Sequence, residues 1–195
     1  MAQDTQNQLW IAQLRSLVEE HGVEICNALV RIYEEPWPQH PVRVDAVAYA
    51  NWAGAYTTLE PTRPTISTTD STDQGTAALE IVFHETSHGM MKKVMDGIDA
   101  AEKTANAQSI GAPIHFPRSL WHEVLFYTSG ELVAQQMSGY NPYANENGLW
   151  NRAWPGPDYD LIERDWKPHM KGTVPLSAAL AKLVDDWAAA SSPHR

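Results

Sequence analysis

Cysteine is nearly absent: Cys26 is the only one in 195 residues, so no disulfide within the chain and no cysteine-based zinc knuckle can form. Positive charge is scarce as well. The 14 lysines and arginines stand against 24 aspartates and glutamates, a formal charge of −10. No basic patch is visible along the chain, which argues against nucleic acid or an anionic membrane surface as a partner. No apolar run reaches the length of a transmembrane span. Met1 to Gln8 lack the basic-then-apolar pattern of a signal peptide, so the expectation is a soluble protein of open compartment; a trimmed exported chain would read the same way. Internal repeats and low-complexity tracts are also missing.

What remains is an ordinary globular composition, 43% apolar and 19% charged, in a length that suits one domain over 1–195. Residues 8 to 34 read as one long or two short helices, with Leu9, Trp10, Leu14, Leu17 and Val18 on one face and a break expected at His21-Gly22. Three prolines between Pro36 and Pro41 make residues 35 to 41 an extended linker. Short β-like runs follow at Val42 to Tyr49, Ala53 to Leu59 and, after a turn from Pro61 to Pro64, Thr65 to Ser67. Helical patterns then occupy 74 to 138, interrupted at Asp96-Gly97 and by a connector from Gly111 to Pro117. The stretch 138 to 157 holds Tyr140, Tyr143, Trp150 and Trp154 among many turn formers, long enough to suggest a functional loop; its aromatics are read first as packing for the C-terminal helices, with the wall of a substrate cleft as the alternative. Helices over Asp158 to Met170 and Val174 to Ala190 close the chain. The order of elements predicts an α+β fold, mostly helical, with a small mixed β-sheet before the helix that begins near Thr76.

That helix carries His84-Glu85-Thr86-Ser87-His88, an HExxH motif. At about 100° per residue, positions four apart lie one turn above each other, so two imidazoles reach one cation from a single helical face. Glu85 projects beside them, placed to take a proton from a water whose pKa a zinc ion lowers. Thr72 or Asp73 is expected to cap the helix and Asp96-Gly97 to end it. Ala77, Ile81, His84, His88, Met91 and Met95 share one stripe, and Leu79, Phe83, Met90 and Val94 a second, so the helix is expected to be buried on two faces.

A catalytic zinc takes three protein ligands and keeps a fourth position open, so a third ligand is needed. The metzincin continuation HExxHxxGxxH is broken by Met91 and Val94. A deformylase-type cysteine ligand is not offered by Cys26, which sits in a helical run as a small buried thiol. The thermolysin-type glutamate position falls near Gln108. The candidates left are Glu102, His115, His122, Glu123 and Glu131. His122 is preferred, because the run Ser119 to Met137 carries no charge besides Glu123 and Glu131 and reads as buried nearly all round. His122 and Glu131 point about 180° apart on the helical wheel, so at most one of them is a ligand. Tyr127 reads first as an ordinary core tyrosine, with donation to a developing oxyanion as its alternative.

On His84, Glu85 and His88 the chain resembles the zincin metallopeptidases, more loosely their compact gluzincin-like members. The segment from Trp121-His122 to Gly130-Glu131 is similar to one in small, uncharacterised bacterial zincin-like proteins. The resemblance implies His84 and His88 as Zn2+ ligands, Glu85 as general base, a peptide or protein substrate, and a last strand, Pro64 to Ser67, that pairs with substrate along the cleft. The expected function is a zinc-dependent hydrolase, a metallopeptidase. Its rivals are a non-catalytic zincin-like metal-binding or interaction domain, and a metal-free helical domain with a chance HExxH.

Overall fold

The computed structural model describes residues 2–39, 41–109, 113–154 and 156–191. His40 of the expected linker, Gly111 and Ala112 of the connector and Pro155 of the aromatic stretch lie outside them. The chain opens with one helix, α1 (Ala2–Tyr33), unbroken at His21-Gly22. A glycine inside a helix costs about 1 kcal/mol. Here packing outweighs that, since Trp10, Leu14, Ile25, Leu29, Ile32 and Tyr33 are buried along the helix. Leu9 and Val18, expected on the same face, are exposed.

Three strands follow: β1 (Asp45–Val47), β2 (Ala55–Leu59) and β3 (Thr62–Ser67). They form a mixed sheet in the order β1-β3-β2, with β1 parallel and β2 antiparallel to β3. β3 starts earlier than expected and includes Pro64. Proline lacks an N–H, but the β1 ladder begins only at Thr65, paired with Asp45, so none is required on that side. The expected substrate-pairing strand, Pro64 to Ser67, is therefore the central strand, with neighbours on both sides. The outer strands are β1 and β2.

The HExxH helix, α2 (Thr76–Ser87), starts from Gly75 at φ 57 with no side-chain cap. Thr72 donates its hydroxyl to Asp70 instead, at 2.7 Å, and the Asp73 carboxyl makes no hydrogen bond. Every residue from Ala78 to Ser87 is buried, so the helix is enclosed all round rather than on two faces. It ends earlier than expected, in a 3-10 turn over His88–Met90, and α3 (Lys92–Gln108) departs from Met91. Asp96-Gly97 lies inside α3. A Cβ at Gly97 would stand 2.5 Å from Leu180 Cδ1, so this glycine serves close packing rather than helix termination.

The second central helix is α4 (Leu120–Gln136), which packs on α2. The aromatic stretch contains two single turns, α5 (Tyr143–Glu146) and α6 (Leu149–Arg152). The chain then runs through α7 (Asp158–Leu161), a π-helical turn (Ile162–Trp166) and α8 (Lys167–Met170) to α9 (Leu176–Ser191), which lies on α3. The expected α+β architecture, mostly helical with a small mixed sheet ahead of the His84 helix, is what the chain adopts. No helix among the described residues is long and apolar enough to cross a membrane.

Candidate metal centre

α2 supplies His84 near its end and His88 one turn on, where the 3-10 turn begins; α4 supplies His122 from the facing helix. The three rings form a nearly equilateral triangle, with centroids 5.2 Å (84–88), 5.1 Å (84–122) and 5.2 Å (88–122) apart. One nitrogen from each lies within 4.8 Å of the others, and among the described residues this is the one group of three or more His, Cys, Asp or Glu side chains that converges in this way. His84 Nε2 and His122 Nε2 are 3.2 Å apart. Two imidazole nitrogens on a tetrahedral zinc, each at about 2.0–2.1 Å, stand roughly 3.3–3.4 Å from one another, so the His84–His122 pair has the spacing of two ligands on one such ion.

The environment favours the neutral, ligating form of each ring. Burial holds His84 well below its usual range, helped by His88 and His122. Burial alone brings His88 down to about 4, and His122 falls to about 4 through burial and the neighbouring His88. The Phe126 ring lies over His84 at 3.8 Å between centroids, and His84 Nδ1 is buried without a hydrogen-bond partner. Among the described residues His84 thus has no carbonyl or carboxylate of the kind that commonly orients a ligating histidine from behind.

Glu85 is buried, with Oε2 4.0 Å from His88 Nε2. Thr57 on β2 lies within 2.6 Å of the same oxygen. Burial pushes the Glu85 carboxyl up to about 7, opposed by the Thr57 hydroxyl. Aromatic edges close the surroundings: Trp121 meets His88 at 5.6 Å and Trp154 meets His122 at 6.2 Å.

The structure separates the remaining candidates. Glu131 pairs with Lys167 at 3.1 Å. Glu123 is buried and accepts from the Ser119 hydroxyl at 2.9 Å, with its other oxygen unpartnered. Glu102 borders a separate cleft with Ile98, Phe116 and Trp121, and His115 is exposed in the connector. Tyr127 donates to Glu163, which commits its hydroxyl to a structural bond rather than to the imidazoles. Of the aromatic stretch, Trp154 alone has a ring contact with one of the three histidines. Tyr143 stacks on Phe126, Trp150 packs on Trp154 and Tyr159, and Tyr140 donates to Glu80. Thr57 was not foreseen; a threonine in a strand has no motif, and only the fold brings it to Glu85.

No protein-family model, no curated protein and no solved structure matches this chain.

Proposed function

We propose that this chain is a zinc-dependent hydrolase of peptide or amide bonds. The observation that carries this reading is the convergence of His84, His88 and His122 beside the Glu85 carboxylate. Three ligating side chains and no fourth among the described residues suit an open catalytic site, whereas a structural zinc is closed by four. The three imidazoles would hold the ion. When bound there, zinc supplies a Lewis acid for the scissile carbonyl and lowers the pKa of water toward neutrality. Glu85 takes the proton of the attacking water and returns it to the leaving amine. Thr57 orients the carboxylate from an outer strand, and the Trp121, Phe126 and Trp154 rings limit water around the reacting atoms.

The test combines metal analysis with proteolysis. Protein purified without added zinc is expected to carry about one zinc per chain and to cut members of a mixed peptide library, read by mass spectrometry. Glu85→Gln should keep the metal and lose the cleavage. A metal-free wild type would remove the reading, and full turnover by Glu85→Gln would remove the role given to Glu85. Metal in the wild type without cleavage of any peptide would favour a non-catalytic metal-binding domain.

A further inference from the structure

Ahead of α2 lies a second polar cluster, which shares no residue with the three histidines, although its Asp73 is near enough to Glu85 for their charges to interact. Gly54 lies in the turn that leads into β2, with φ 86. A Cβ placed on it would stand 2.8 Å from Asp73 Oδ2 and 3.0 Å from Asp70 Oδ2, so both oxygens pack against the same side of the Gly54 backbone. Asp70 is oriented by its own turn: Oδ1 accepts from the Thr72 N–H at 2.9 Å and the Thr72 hydroxyl at 2.7 Å. That leaves Oδ2 to face Gly54.

Asp73 is the unusual member. It is 1% exposed, and neither carboxylate oxygen has a hydrogen-bond partner. Its main chain, by contrast, is fully used. The N–H donates to the Asp70 carbonyl at 3.3 Å, and the C=O accepts from Trp10 Nε1 at 2.7 Å. A carboxylate withdrawn from water without a donor is costly, and a second carboxylate beside it adds repulsion. Only a proton or a cation relieves both.

We propose that Asp70 and Asp73 bind a hard divalent cation of the calcium class, with water and main-chain carbonyls of the two turns completing its shell. The donor set is all oxygen, which suits calcium or magnesium and contrasts with the imidazole set at the zinc centre. The cation would fasten the turn before β2 to the turn that launches α2. It would thereby hold the start of the helix that carries His84 and Glu85, with Trp10 anchoring the same turn from α1.

Terbium luminescence on the zinc-loaded protein tests this, because Trp10 adjoins the cluster and can sensitise a bound lanthanide. Expected is a saturable tryptophan-excited emission, displaced by calcium, and a melting temperature raised by calcium. Both should be lost in Asp73→Asn, and affinity should fall about tenfold or more in Asp70→Asn, since ligand charge sets the strength of such sites. Asp70 is only partly buried and asparagine can still accept from Thr72, so Asp70→Asn carries the test if Asp73→Asn does not fold. His84→Ala should keep the emission, which separates this site from the zinc reading. Absence of sensitised emission overturns the proposal. Emission unaltered in both asparagine variants also overturns it, as the sum of surface carboxylates only. So does an Asp73→Asn protein that is more stable than the wild type while neither responds to calcium, because the buried carboxyl would then be protonated.

Discussion

The Thr57 hydroxyl lies 2.6 Å from Glu85 Oε2 and 2.8 Å from the Glu85 main-chain oxygen. Its single hydrogen serves one acceptor at a time, which gives two arrangements. With Glu85 ionised, Thr57 donates to the carboxylate. With Glu85 protonated, the carboxyl donates to Thr57 Oγ1 and the hydroxyl turns to the carbonyl. One residue of an outer strand therefore satisfies Glu85 in both of its protonation states.

Thr57→Val keeps the side-chain shape and removes this exchange. A hydrogen bond of this kind is worth about 1–2 kcal/mol, so kcat is expected to fall about tenfold with zinc content unchanged. Steady-state kinetics on a peptide cut by the wild type measures it. An unaltered kcat would leave Thr57 with a packing role alone.

The ligand set gives a sharper contrast. His84→Ala, His88→Ala and His122→Ala are each expected to weaken zinc by more than about a hundredfold, beyond the loss typical of an outer partner. Glu131→Ala, Glu102→Ala and His115→Ala should leave affinity unchanged, because their side chains lie elsewhere. Competition with a chromophoric chelator reads all six. A zinc affinity in His122→Ala equal to the wild type would return the third ligand to an unassigned residue.

Glu80 lies one turn before His84 and ties the aromatic stretch to α2. Its Oε2 accepts from the Tyr140 hydroxyl at 2.8 Å and the Tyr143 N–H at 2.9 Å, while Oε1 is unpartnered. Burial pushes this carboxyl from 4.5 up to about 7, opposed by those two donors. The folded value lies above the unfolded one, so the folded state holds the proton more tightly. Its contribution to stability is complete below about pH 4.5 and is lost as pH rises through about 7, on the order of 3 kcal/mol. Glu80→Gln should therefore flatten the melting temperature between pH 5 and pH 8 (about the window of that titration). Asp73 and Glu123 shift in the same direction, so the informative quantity is the difference between variant and wild type. Parallel curves would mean that Glu80 is ionised in the folded protein throughout.

His84, Glu85 and His88 were legible because a helix converts sequence spacing into distance without any tertiary information. His122 was legible by a weaker route, as the one histidine in a run with almost no charge. The ends of α2 and the continuity of α1 were not. Gly22, Gly75 and Gly97 look alike in sequence, yet they are a packed helix interior, a helix start at positive φ and a contact for Leu180. Which role a glycine takes depends on the neighbour that approaches it. The same holds for Thr57 and Asp73, whose partners, or lack of them, come from strand order and loop packing. The central place of β3 could not be read either, since three short runs of similar composition do not encode which one lies between the others.

Gly89 follows His88 directly in the 3-10 turn, and its place against the sheet has a measurable consequence. A Cβ there would stand 2.3 Å from Thr62 Oγ1 and 3.1 Å from both Thr62 Cγ2 and Pro38 Cγ. Thr62 is buried at the start of β3, so rotating its side chain exchanges one close atom for another. The turn must instead move off the sheet and take His88 with it. Gly89→Ala is expected to destabilise by about 1–3 kcal/mol, as overpacking commonly does, lowering the melting temperature by roughly 2–12 °C for a chain of this size. Zinc affinity should fall in the same variant. Thr62→Ala removes two of the three obstructing atoms, including the closest, and leaves Pro38 Cγ, so the double variant should recover part of the stability and of the metal affinity together, a coupling that two independent sites would not produce. Melting and zinc binding in Gly89→Ala indistinguishable from wild type would show that the turn holds His88 without the support of Thr62.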